Sequence, residues 1–219
     1  VGDVAVYNSL DPKSSYFEVR KKILAGAVAA VRHLLETGRP EPFYDRIIIA
    51  GHSLGSQVAF DAINRLTHEI SSSARTGLAR EARERLCGLV TFGSPLDKIA
   101  FFLREQVPAE QEIRAQMLAN YHCFKQKRWT GDPSEEHLVP PLYDCVFDDM
   151  RWYNFHDEGD PISGHLDYYR NVRNIPRSYR KDRKRFTHGE YWTDADMFDI
   201  IIDDFVLPDP PIGHVEKEG

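Results

Sequence analysis

Between Ile47 and Phe60 the chain reads IIIAGHSLGSQVAF, and its centre, Gly51-His52-Ser53-Leu54-Gly55, sets a serine among neighbours that suit nucleophilic chemistry. A serine hydroxyl is a weak nucleophile at neutral pH, so it has to stand clear of the backbone with a base beside it. Gly-x-Ser-x-Gly between a short β-branched run and a helix-like stretch is the layout of a nucleophile elbow. Small residues two positions either side let the strand and the following helix pass closely. Ser53 is the candidate nucleophile. The Leu54 amide, at the start of the helix, is a candidate donor to the oxyanion that attack on a carbonyl creates.

The base and the acid that orients it belong on loops at the carboxyl ends of later strands. Asn154-Phe155-His156-Asp157-Glu158-Gly159-Asp160-Pro161-Ile162 supplies one such loop. Asp160, between Gly159 and Pro161, sits on a turn that can aim a carboxylate back at the sheet edge. Asp157 competes with it, and either aspartate also suits simple turn capping. Phe186-Thr187-His188-Gly189-Glu190-Tyr191-Trp192 supplies another loop, with His188 leading into the last helix. His156 and His165 are rival bases by their closeness to the acid. Ser53, Asp160 and His188 are preferred because they run in the order serine, aspartate, histidine across separate strands.

Those side chains need a scaffold, and the hydrophobic pattern describes one. Residues 4–7 suggest a short strand. Apolar residues at three- and four-residue steps predict an amphipathic helix over 15–37, stopped by Gly38 and Pro40. A strand over 46–50 leads into the helix after Ser53. Residues 80–85 look like a solvated polar stretch before a second strand, 86–92, closed by Gly93-Ser94-Pro95. Helices are expected within 99–104 and 110–124, and a loop over 130–141. A third strand over 150–155, a weaker fourth over 172–175 and a final helix over 194–205 complete the pattern. Helix and strand in alternation make a parallel α/β sheet.

In this order the motifs resemble the α/β-hydrolase superfamily, specifically its serine esterase and lipase-like branch with Gly-His-Ser-Leu-Gly, over roughly 15–205. The resemblance implies an α/β-hydrolase-like domain over 1–207, mostly parallel with helices on both faces, a helical insertion at about 96–149 after the second core strand, and a flexible tail at 208–219. It implies Ser53 as nucleophile, Asp160 as acid, His188 as base and Leu54 as one oxyanion donor. The chain departs from the family upstream. Only 52 residues precede Ser53, most of them one helix, and none form the His-Gly pair that often supplies the second oxyanion donor. The expectation is a hydrolase domain truncated at its amino terminus, whose missing segment is a partner. Lacking one oxyanion donor would cost about 3 kcal/mol of transition-state stabilisation.

Composition narrows the rest. With 28 basic and 34 acidic residues the net charge is -6, which gives no reason to expect nucleic acid. Cys87, Cys123 and Cys145 form neither a disulfide framework nor a zinc motif. With no signal-like start and no apolar run long enough to span a membrane, a cytoplasmic setting is expected. No phosphate loop, zinc helix or calcium loop is present, so neither cofactor nor metal is expected. Arg177, Arg180, Lys181, Arg183, Lys184 and Arg185 form a basic run, read as a solvated loop or as a contact for anionic membrane surfaces. Phe101, Phe102 and Leu103 suit a lid, an acyl pocket or plain core. The expected activity is hydrolysis of an ester or related acyl bond, lipid-like or small, through an acyl-enzyme. Acyl transfer or thioester cleavage by the same triad is an alternative, and so is a non-catalytic interaction domain of a longer protein.

Overall fold

The computed structural model of the chain describes residues 7, 13–37, 44–71, 84–105, 117, 121–122, 150–179 and 186–207. Strands β1 (Ile47–His52), β2 (Leu86–Phe92), β3 (Arg151–Asp157) and β4 (Val172–Arg177) form one sheet in the order β1-β2-β3-β4, each neighbouring pair parallel. The apolar runs of β1 and β2 lack strict alternation because strands of a parallel sheet are covered on both faces. Register slips once, between Ile47 and Ile48, which pair with Leu86 and Gly88 and pass over Cys87.

Consecutive residues of each strand feed opposite faces. On one face Leu89 and Trp152 pack beneath α1 (Ser15–Glu36), α2 (Leu54–Ser71) and α3 (Leu96–Glu105), through Val31, Leu35, Phe60, Ile63, Leu66, Leu96 and Ala100. On the other, Val90, Phe92, Tyr153 and Phe155 meet Tyr191, Phe205 and Met197 of α4 (Ala195–Ile201). This is an α/β fold, a four-stranded parallel sheet between helices. Among the described residues no helix is long and apolar enough to cross a membrane.

Three expectations need correction. Arg85 closes the charged stretch 80–85, yet it is buried. Its guanidinium donates to the carbonyls of Leu34 (3.1 Å), Leu35 (2.8 Å) and Tyr44 (2.6 Å), supplying partners to the last turn of α1, whose carbonyls have none inside the helix. The final helix is α-helical only through Ile201 and then widens into a π turn, Ile202–Val206. That turn seats Phe205 against Gly88, where a Cβ would come within 2.3 Å of the ring. Tyr7, the described residue of the expected strand 4–7, is helical.

The segment expected as an insertion opens with α3, on which Phe101 is exposed and not core. Met117 and Tyr121 are helical and His122 lies in a turn, and the other residues of 106–149, including the loop expected at 130–141, lie outside the described residues, as does the tail 208–219.

Candidate active site

The turn between β1 and α2 is built on two tight places. Ser53 has φ +54, a left-handed conformation uncommon for a residue with a side chain and a form of local strain. Beneath it, a Cβ on Gly51 would lie 2.6 Å from the Gly55 oxygen and 2.7 Å from the Ser56 amide nitrogen, so only glycine fits there. At Gly55 a Cβ would meet nothing within 4 Å, so no close approach demands glycine there. The Ser53 amide donates to the Phe92 carbonyl at the end of β2 (3.1 Å), and the buried Ser56 hydroxyl donates to the Gly51 carbonyl (2.8 Å). Leu54 opens α2, where the first amides have no partner inside the helix.

Beyond β3 the chain turns sharply, with the Asp160 amide donating to the Asp157 carbonyl (3.0 Å). The two aspartates have different partners. Asp157 accepts from the Thr187 hydroxyl (2.8 Å) and the Gly159 amide (3.0 Å). Asp160, with no exposed side-chain surface, accepts from the Ile162 amide (2.9 Å) and meets His188 Nδ1 at 2.7 Å. A carboxylate only accepts, so Nδ1 carries the proton and a neutral His188 keeps its lone pair on Nε2. Of the rival histidines, His156 is buried with its ring edge-on to His165, and His165 is exposed and pairs with Asp167 at 2.7 Å. Burial, and then the neighbouring His165, hold His156 below the ordinary histidine range.

What brings the serine turn and the histidine together is the end of β2. Phe92 receives the Ser53 amide, and at the next residue, Gly93 (φ +58), a Cβ would lie 3.1 Å from His188 Cε1 and equally close to His52. Both rings therefore rest on a bare Cα. Among the described residues no hydrogen bond joins the Ser53 hydroxyl to the His188 ring.

Several positioning groups leave no motif in the sequence. Tyr191 is fully buried. Its hydroxyl accepts from the Asp157 amide (3.0 Å) and lies 3.4 Å from the Asp160 oxygen that meets His188, and burial pushes its phenol well above the usual range. Lys98 Nζ donates to the carbonyls of Ile162 (2.8 Å) and Ser163 (2.7 Å). Asp97 accepts from the amides of Asp167 and Tyr168. From the sheet, Asn154 donates to the Gly164 carbonyl (3.0 Å) and Asn174 accepts from the Leu166 amide (2.9 Å). The segment that follows Asp160 is thus tied to α3 and to two strands. Asn154 and Asn174 are visible in the sequence as polar residues within strands, but spacing alone does not name their partners.

Arg177, the first of the basic run, is committed to the fold. Its guanidinium binds both oxygens of Asp194 (2.6 and 2.7 Å), and Asp194 caps α4 through the Met197 amide. The run's remaining basic residues lie outside the described residues. Among the described residues no group of three or more His, Cys, Asp or Glu side chains is placed to hold a metal ion.

No family model and no curated protein matches the sequence. Among solved structures the chain is similar to VinJ, at 14% identity and a TM-score of 0.31, over 73% of this chain and 65% of that one. The chain therefore spans less than two thirds of VinJ's length.

Proposed function

We propose that this chain is a serine hydrolase of the α/β-hydrolase kind that cleaves an ester or related acyl bond through an acyl-enzyme. The observation that carries the reading is the His188 Nδ1 contact with the wholly buried Asp160 at 2.7 Å, at the sheet end where Ser53 holds its left-handed turn. In this mechanism His188 Nε2 takes the Ser53 proton as Oγ attacks the acyl carbonyl. The Leu54 amide donates to the oxyanion, and the same imidazole protonates the leaving group and then activates water to release the acid. Asp160 holds the tautomer and offsets the imidazolium charge.

An apolar acyl group is the favoured substrate, because Phe186 and Trp192, 60% and 58% exposed, flank His188 in sequence. Aromatic surface left open beside a reactive imidazole suits such a ligand better than bulk water. On this reading a further strand pairs with β1, which among the described residues is bonded only to β2, and the second oxyanion donor comes from that side of the sheet.

The test is labelling of the chain by a fluorophosphonate, with p-nitrophenyl acyl esters as turnover substrates. Labelling should vanish in Ser53→Ala. In Asp160→Asn, kcat should fall about 1000-fold, since a charge pair about 4 Å apart at an effective dielectric of about 20 contributes about 4 kcal/mol. Labelling that survives Ser53→Ala assigns the reactivity to another nucleophile and rejects the reading, and labelling that never occurs in the intact protein rejects it in favour of a non-catalytic domain.

A further inference from the structure

On the reading of Ser53, Asp160 and His188 just given, we propose that His52 is a positioning residue, which holds the His188 loop from the elbow strand through a hydrogen bond to that loop's backbone. His52 Nε2 lies 2.8 Å from the His188 carbonyl oxygen. A carbonyl only accepts, so His52 carries its proton on Nε2 and donates. The two imidazoles pack against each other with centroids 4.6 Å apart, and His52 is backed by Phe92 at 5.2 Å and edged by Trp192 at 5.5 Å.

This bond links two distant parts of the chain. His52 ends β1, one residue before the nucleophile, whereas His188 lies in the loop between β4 and α4. Hydrogen bonds beside it are local or run to the acid turn, as Glu190 to Thr187, Trp192 to Gly189 and Thr187 to Asp157 show. The His52 bond references the imidazole to the elbow itself, and the glycine at position 93 leaves both rings the room to meet.

The titratable groups around His52 are His188, Asp160 and Tyr191. Burial holds His52 below the ordinary histidine value, while its bond to the His188 carbonyl pulls the other way. His52 therefore works as an uncharged donor beside the ring that becomes imidazolium during turnover.

Two substitutions separate this role from simple packing. His52→Gln keeps an N–H donor of similar reach and loses the ring; His52→Phe keeps a ring against Phe92 and Trp192 and loses the donor. The proposal expects kcat on a p-nitrophenyl ester to fall about 10- to 100-fold in the Phe variant, with KM within about threefold and most of kcat retained in the Gln variant, the range expected for a misplaced catalytic group. The reverse order, with Phe active and Gln impaired, overturns it.

A readout that needs no turnover runs alongside. The imidazole N–H proton of His188 in its bond to Asp160 should give a downfield proton resonance in the intact chain, retained in His52→Gln and broadened or lost in His52→Phe. Should this resonance persist unchanged in the Phe variant, the proposal fails even if Ser53-dependent turnover is found. Absent Ser53-dependent labelling in the unmodified protein, the hydrolase reading fails, while the resonance still decides whether His52 positions the His188 loop.

Discussion

Gly93→Ala tests whether the end of β2 sets the place of the two imidazoles. Two penalties arise at this position. The left-handed backbone, φ +58, costs a residue with a Cβ about 1–2 kcal/mol. For a protein of this size that lowers the midpoint of thermal unfolding by about 2–8 °C. The new methyl would also stand 3.1 Å from His188 Cε1 and from His52 Cδ2 and Nε2, where carbon contacts relax to about 3.5–4 Å, so the rings must retreat by about half an ångström. A displacement of about 1 Å costs on the order of 100-fold in rate, which puts the expected loss near tenfold. Thermal unfolding reports the first penalty and the rate of fluorophosphonate labelling reports the second. Gly93→Asn separates them, because asparagine tolerates the left-handed region yet carries the same Cβ. It should recover much of the stability and little of the rate. Wild-type labelling in both variants would refute the claim that the bare Cα is what the rings rest on, and recovery of rate with stability in the Asn variant would assign the loss to strain alone.

Other parts of the fold give equally definite outcomes. Asp61 on α2 is pushed up to about 6 from 3.8, first by burial, with Arg20 at 3.7 Å offsetting part of the penalty. An acid whose folded value is raised binds its proton more tightly when folded, so its contribution is complete below about pH 4 and lost as pH rises through about 6. The loss is about 3 kcal/mol. Stability curves of the unmodified chain and Asp61→Asn should therefore separate between pH 4 and 6 and run parallel above, and curves parallel throughout would show that the carboxyl is not buried as described. Arg85→Met removes a charged donor from three carbonyls, at about 1.5–3 kcal/mol for each such bond, and should lower the urea midpoint by an amount equivalent to at least 3 kcal/mol. Arg85→Lys should recover only part of it, since one ammonium cannot reproduce the guanidinium fork. An unchanged midpoint in the Met variant would show that water replaces the guanidinium at no cost.

The strands β1 and β2 are legible because a buried parallel strand is largely apolar and Gly51 and Gly93 mark their ends, and β3 is legible through Trp152, Tyr153 and Phe155, aromatic residues that suit a strand. β4 is faint for the opposite reason. VRNIPR lies at the sheet edge, half exposed, where polar residues and Pro176 are tolerated. The π turn has no periodic signature of its own, since its cause, the space over Gly88 that Phe205 fills, lies across the sheet. At the site, motif and chain order single out Ser53, Asp160 and His188, and the second and third of these lie 2.7 Å apart. His52 is silent because Gly-x-Ser-x-Gly leaves its position open, and a partner 136 residues away leaves no local pattern. Arg85 is hidden by its company, as a run of charges signals water and does not mark the one member that turns inward.

Besides the Tyr191 hydroxyl, the turn of Asp157 and Asp160 meets the histidine loop at two adjacent points, Asp157 with Thr187 and Asp160 with His188. Like a key with two teeth, this contact admits one alignment. A shift of the loop by one residue would bring a threonine to the carboxylate meant for the imidazole and would leave the other carboxylate, sealed from solvent, facing the side chain of Phe186. The spacing of the two aspartates and the adjacency of Thr187 and His188 are therefore one inseparable unit. A single-residue insertion between Asp157 and Asp160 should do more harm than replacing either residue that lies between them.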